Sequence, residues 1–145
     1  MIVISHRGYE NGEDEMLENN PEQIKKLLKM NIDVEIDVRY NEGFYLGHDC
    51  ARYEVDIGFL KQDGLWCHAK DIKSFELMLV SGIHCFWHQS DDYTLTSKGY
   101  VWTYPGKDVI SKSVIVMPEK ISFDFSQLKE YDVHGVCTDY PTRIL

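Results

Sequence analysis

No stretch of the 145-residue sequence holds the roughly 20 consecutive apolar residues that a bilayer-spanning helix needs, so no membrane span is expected. A secretory leader is missing too. Met1 runs directly into Ile2-Val3-Ile4, with no basic segment and no extended apolar run, and the expected location is therefore the cytoplasm. No CxxC pair occurs. Cys50, Cys67, Cys85 and Cys137 lie far apart, and in a reducing compartment such cysteines are expected to be free thiols. Positive charge is scarce: 15 Lys and Arg stand against 24 Asp and Glu, a net charge of −9. A surface of that sign repels nucleic-acid phosphates, which excludes DNA or RNA binding over a broad face. A small phosphorylated substrate stays compatible with it where a bound cation reverses the local field. Repeats, low-complexity tracts and linkers are absent. With an apolar fraction of 43%, residues 1–145 are expected to form a single domain with a real core.

Within that domain the pattern of apolar residues alternates between two periods. Residues 1–5 predict a buried strand, ending at His6-Arg7-Gly8, and the polar, acidic residues 9–19 predict a loop. A helix follows, with Asn20 as its cap, Pro21 at its first position and Gln23 three after the cap. Ile24, Leu27 and Leu28 give it one apolar stripe. After Asn31 the period becomes two: Val34, Ile36 and Val38 face one way, Glu35, Asp37 and Arg39 the other. Asn41-Glu42-Gly43 is a turn and Phe44–Leu46 a short strand. Residues 65–69 predict a strand, Ile72, Phe75 and Leu79 the stripe of a second helix, and Ile83–Trp87 another strand. Strand-like runs then recur within 93–104, 114–117 and 133–138, with a short helix at 125–131. Strand and helix alternate in the first half, which predicts an α/β fold with parallel strands.

Three groups of residues carry chemistry. Glu35 and Asp37 sit two apart on one strand face, about 6.7 Å apart by strand rise. That face is either an ordinary solvated side or, if enclosed, a place where two anions require a hard divalent cation. His6-Arg7-Gly8 ends a strand with a group that titrates near neutrality, a planar fork of donors suited to phosphate oxygens, and a residue that lets the chain turn close to a ligand. His48-Asp49 follows another short strand, where Asp49 either orients the ring or is simply its neighbour in a loop. His84 and His134 look like ordinary strand-edge residues without a role; His88 is ambiguous.

Taken in order, His6-Arg7-Gly8, Glu18-Asn19-Asn20, Glu35-Ile36-Asp37 and His48-Asp49 resemble the glycerophosphodiester phosphodiesterase family, which reads HRG, E-N-T, E-x-D and HD at similar intervals. Gly135 to Pro141 is similar to that family's closing G-x-x-T-D-x-P segment, and Trp102-Thr103 to its late W-T strand. The resemblance implies a (β/α) TIM-type barrel with its site at the C-terminal ends of the strands, and residue roles with it. His6 and His48 become the general acid and base, beside Arg7. Arg7, Lys70 and Trp102 face the phosphate and the rest of the substrate. Glu35 and Asp37 hold a divalent metal, and Glu18, Asn19 and Asp49 support the site. The substrate implied is a glycerophosphodiester or a related small phosphodiester.

The chain departs from the family in two ways. Where the family has E-x-K, this sequence has His68-Ala69-Lys70, so either His68 stands in as the third metal ligand or the site has two protein ligands plus waters. Two carboxylates suit Mg²⁺ or Ca²⁺, and an imidazole shifts the preference toward Mn²⁺ or Zn²⁺. The second departure is length. A complete barrel of this type takes about 250 residues, so a shortened barrel lacking several outer helices is expected. Phe86, Trp87, Tyr93, Tyr100, Trp102 and Tyr104 then serve as core or loop cover, or meet a substrate or a homo-oligomer partner over exposed wall. The alternative reading is a decayed barrel that binds a phosphoryl ligand or a protein without turnover.

Overall fold

A computed structural model describes all of residues 1–145. Its backbone is dominated by ten strands in one mixed sheet: β1 (Ile2–His6), β2 (Asp33–Tyr40), β3 (Phe44–Leu46), β4 (Tyr53–Val55), β5 (Leu65–Ala69), β6 (Cys85–Phe86), β7 (Tyr93–Leu95), β8 (Val101–Thr103), β9 (Ser113–Val116) and β10 (Gly135–Thr138). The α-helices are few: α1 (Pro21–Lys29), α2 (Ile57–Leu60) and α3 (Ile72–Val80), joined by short 3-10 turns at Pro118–Ile121, Phe125–Glu130 and Pro141–Arg143. The α/β class expected from the sequence is the one observed. No helix is long and apolar enough to cross a membrane, and all four cysteines are free.

Seven strands run parallel in the spatial order β6-β5-β2-β1-β10-β9-β8. The other three are antiparallel additions. β3 joins β2 beyond the point where β1 ends, β4 joins β3, and β7 joins β8. The parallel run curls until its two ends face each other. Ile4, Trp66, Phe86, Trp102, Val114, Val116 and Cys137, from six different strands, meet in one inner cluster. The rings of Phe86 and Trp102 lie 4.7 Å apart. The hydrogen-bond ladder itself stays open, because β6 and β8 do not pair. Ser97 fills the gap instead: its N–H donates to the Cys85 carbonyl at 2.8 Å, and its hydroxyl accepts from the Cys85 N–H at 2.9 Å.

The outer face of β2, β5 and β6 packs under the helices. Val34, Ile36 and Val38 join Leu65, Cys67, Ala69 and Cys85 beneath Ile24 and Leu27 of α1 and Met78 of α3. The N-terminus of α1 is capped as the sequence predicts, with the Glu22 N–H donating to the Asn20 side chain at 3.0 Å. In α3 the expected stripe fails. Phe75 packs against the core, but Ile72 is 67% exposed and Leu79 45%, while Ser74 and Met78 are buried. The Ser74 hydroxyl donates to the Val38 carbonyl at 3.1 Å, which turns that side of the helix toward the sheet. Between β3 and β5, residues 50–64 contain β4 and α2.

The N-terminal end of the curl is stoppered by rings. Trp66 lies 4.3 Å from His84 and 5.3 Å from Tyr100, and Tyr100 stacks on His134 at 4.1 Å. Trp66 Nε1 donates to Asp33 at 2.9 Å and His84 Nε2 meets the Thr96 hydroxyl at 2.8 Å. The two histidines expected to be incidental are thus structural. Burial, reinforced by Lys98 and by His134, pushes the His84 imidazole down to about 4 from an ordinary 6.5. The folded state therefore keeps this ring neutral. Its contribution to stability is complete above the unfolded value of 6.5 and is lost as pH falls toward 4. Urea unfolding across that interval should show wild type losing more of its stability than His84→Asn.

Candidate active site

At the opposite, C-terminal end of the parallel strands the inner face is polar. His6 closes β1, Glu35 and Asp37 stand on β2, His68 and Lys70 follow one another on and just past β5, and Asp139 follows β10. Glu35 is 2% and Asp37 0% exposed, so the solvated-face reading of this carboxylate pair is set aside. Both are buried on the face opposite Val34, Ile36 and Val38, because β2 is covered on both sides.

Each carboxylate is surrounded. The Asn19 side chain and Asp37 exchange a pair of hydrogen bonds: Nδ2 donates to Oδ2 at 3.0 Å, and the Asp37 N–H donates to Asn19 Oδ1 at 2.9 Å. Arg7 Nε lies 3.3 Å from Asp37 Oδ2, and the Arg7 N–H donates to Glu35 Oε2 at 3.2 Å. His68 Nδ1 sits between the two acids, 3.6 Å from Glu35 Oε1 and 3.5 Å from Asp37 Oδ1, and Lys70 Nζ is 3.8 Å from the latter oxygen. Burial by itself raises the Asp37 carboxyl. The adjacent His68, the Arg7 charge and the Asn19 hydrogen bond outweigh it and hold the group well below the usual carboxylate range. Burial by itself lowers His68, and the adjacent Asp37 and Glu35 carboxylates instead push it up to about 9.

Backbone geometry delivers these groups. Arg7 (φ 52°) and Asn19 (φ 53°) both occupy the left-handed region, uncommon for residues with a Cβ, and the Asn19 N–H donates to the Arg7 carbonyl at 2.7 Å. At Gly47 a Cβ would stand 1.9 Å from the Cys50 carbonyl oxygen, so only glycine fits before His48. Arg39 secures that loop by donating from Nε to the Gly47 carbonyl at 2.9 Å and from its terminal nitrogen to the His48 carbonyl.

The two expected acid–base histidines line one pocket of about 370 Å³ together with Arg7, Glu35, His68, Lys70 and Trp102. His6 Nδ1 lies 2.6 Å from the Asp139 carboxylate, an acceptor, which leaves Nε2 facing Glu35 at 4.0 Å. His48 Nδ1 lies 2.8 Å from Asp49, whose side chain is largely exposed. Glu18 stands outside the pocket lining, accepting from the Tyr9 hydroxyl and lying 3.9 Å from Arg7. Burial and the Glu18 hydrogen bond raise the Tyr9 phenol well above its ordinary value. Three participants went unassigned in the sequence. Asp139 orients His6, Tyr9 ties Glu18, and His88 stacks on His68 at 4.7 Å while its carbonyl lies 3.3 Å from His68 Nε2. Only Asp139 had a visible signal, its place in the T-D-x-P segment. Register supplies the rest, since Ser5 pairs with Thr138 and the next residues along are His6 and Asp139.

The cluster fits a metal on its own geometry. One oxygen each from Glu35 and Asp37 and a nitrogen of His68 lie within 4.8 Å of one another. Asp37 Oδ1 is buried without a hydrogen-bond partner. The contact from His68 Nε2 to the His88 carbonyl keeps Nδ1 turned toward the acids, the second-layer arrangement common to ligating histidines.

Asn19 contributes two bonds to a buried carboxylate residue, so Asn19→Ala should cost about 2–4 kcal/mol of folding stability, read from the urea midpoint at unchanged slope. Comparison of the chain with protein-family models, with curated proteins and with solved structures finds no match in any of the three.

Proposed function

We propose that the protein is a metal-dependent phosphodiesterase that cleaves a small phosphodiester by paired histidine acid–base catalysis. The observation that carries this reading is the convergence of His6, His48, Arg7, Lys70 and the Glu35–Asp37–His68 cluster on one pocket. The ordered sequence resemblance to the glycerophosphodiester phosphodiesterases supports it, and the curled parallel sheet is compatible with a shortened (β/α) barrel of that kind.

In this reading Glu35, Asp37 and His68 hold a divalent cation, Mg²⁺ or Ca²⁺ by the carboxylates and Mn²⁺ or Zn²⁺ by the imidazole. When bound, the cation offsets the phosphate's charge. Arg7 and Lys70 hold the non-bridging phosphoryl oxygens. One histidine takes the proton of the attacking hydroxyl, from water or from the substrate itself. The other gives a proton to the departing alkoxide as the phosphorus–oxygen bond breaks. Water leaves a phosphomonoester and an alcohol; an internal hydroxyl leaves a cyclic phosphate and an alcohol. Asp139 and Asp49 each hold one ring by Nδ1, so that Nε2 is the atom that moves protons.

A second reading has one observation in its favour. Arg7, His68 and Lys70 already compensate Asp37 within 3.8 Å, so the cluster is balanced by the chain's own cations and is suited to holding a phosphoryl ligand without turnover. Hydrolysis of glycerophosphodiesters and of a chromogenic phosphodiester, with each of the four metals, separates the two. The expected outcome is metal-dependent turnover that falls by a factor on the order of 10² or more in His6→Ala and in His48→Ala, the usual weight of a general acid or base. Glu35→Ala should lose metal binding and turnover together. Retained activity in all three variants would sink the proposal, and thermal stabilisation by phosphodiesters without turnover would favour the binding module.

A further inference from the structure

Tyr104, the residue just beyond β8, lines two cavities at once. One is the active pocket; the other is a groove of about 300 Å³ on the outer side of the same rim. The two adjoin again just past β9, where Met117 lines the pocket and Pro118 the groove. From there the groove is lined by Ile115 of β9, Val109, Ile121, Phe123 and Tyr131. Residues 104–112, between β8 and β9, form no helix that would cover this wall. Tyr104, Ile121 and Tyr131 are accordingly 48%, 50% and 41% exposed. Its shape is fixed by the chain. Met117 (φ 43°) and Ser122 (φ 56°), both left-handed, bracket the Pro118–Ile121 turn whose two ends line the groove. The charged residues of the lining are Lys107 and Asp108, one of each sign, and the remainder is largely apolar.

A polar, hydrogen-bonding pocket that continues past one tyrosine into a largely apolar trough of no net charge is complementary to a molecule of the same two-part character. We infer that the groove takes the alkyl or acyl tail of the substrate, so that the diester cleaved is a single-chain amphiphile whose phosphate lies in the pocket and whose tail passes over Tyr104. A volume of about 300 Å³ is at the lower end of ligand cavities and leaves room for one chain, not two. This deepens the phosphodiesterase reading and rests on it for the position of the phosphate.

The test compares methyl and dodecyl 4-nitrophenyl phosphate, below the concentration at which the dodecyl diester forms micelles. Each methylene removed from water adds to binding, so the dodecyl diester should show kcat/KM higher by about tenfold or more, and that ratio should collapse toward one in Ile121→Asp and in Val109→Trp. A ratio near one in wild type, or a ratio unchanged in both folded variants, overturns the inference. Should neither diester turn over, equilibrium binding of dodecyl and ethyl methylphosphonate, monoanions in which a methyl group replaces the nitrophenoxy leaving group, still decides it. Preference for the dodecyl anion that both variants lose keeps the groove while the phosphodiesterase reading falls. Equal binding of the two anions rejects the groove. Sedimentation supplies a further outcome: a dimer that Ile121→Asp dissociates would give the groove to a second copy of the chain and overturn the proposal.

Discussion

Placing Glu35 and Asp37 side by side in a water-poor interior is the most expensive choice in this molecule, and much of the C-terminal end is organised around offsetting it. An ionised carboxylate without partners costs many kcal/mol to bury. Here the compensation is distributed: Arg7 comes from the end of β1, Asn19 from the loop before α1, and His68 and Lys70 from β5 and the residue after it. Only a sheet with β2 flanked by β1 on one edge and β5 on the other brings these together. The topology and the charge pair therefore require each other. The left-handed backbone at Arg7 and Asn19 is concentrated at this same spot, where a conformational cost is offset by contacts to an acid that would otherwise be stranded.

Much of this was legible along the chain, and what was not has physical reasons. Period two in residues 34–39 correctly put Glu35 and Asp37 on one face, but alternation does not say whether that face is wet. A strand covered on both sides buries its polar row too, and the row then marks a buried charge cluster and not a solvated face. Asp139 could be seen as a motif residue but not as the partner of His6, which lies 133 positions away and is reached only through the β1–β10 register. The α3 stripe was misread because Ile72, Phe75 and Leu79 satisfy helical spacing while the Ser74 hydroxyl, satisfied by the Val38 carbonyl, takes the buried position. In His84 and His134 the sequence shows polar residues at strand edges; in space they are flat rings packed against Trp66 and Tyr100.

The same inner-face alternation builds two unlike ends. On β2 it places Asp33, Glu35 and Asp37 at successive levels. The lowest accepts from Trp66 within the ring stopper, and burial raises its carboxyl; the upper two meet the cations of the open end. Between the ends lies an apolar layer of Ile4, Phe86, Trp102, Val114 and Cys137. A layer of that kind keeps solvent from entering behind the charged cluster, and charges in a drier surrounding act on one another more strongly. The stopper and the layer are thus part of the candidate site's electrostatics, even though none of the stopper's residues lines its pocket.

That division also fits where the side chains of the candidate pocket come from. The side chains that line the pocket project from the inner faces of strands or from the first residues past their ends, and those positions survive when outer helices are absent. What is lost is cover on the outer wall. It is made good by α1 and α3 over β2, β5 and β6, and by Leu128, Val133 and the 3-10 turns over part of β9 and β10. Beside β9, whose own residues are all buried, Tyr104 and Ile121 stay about half exposed, and Tyr104 also lines the rim of the pocket. The groove and the pocket thus share an edge at Tyr104 and at the Met117–Pro118 step, and the inferred binding of a tail rests on that shared edge.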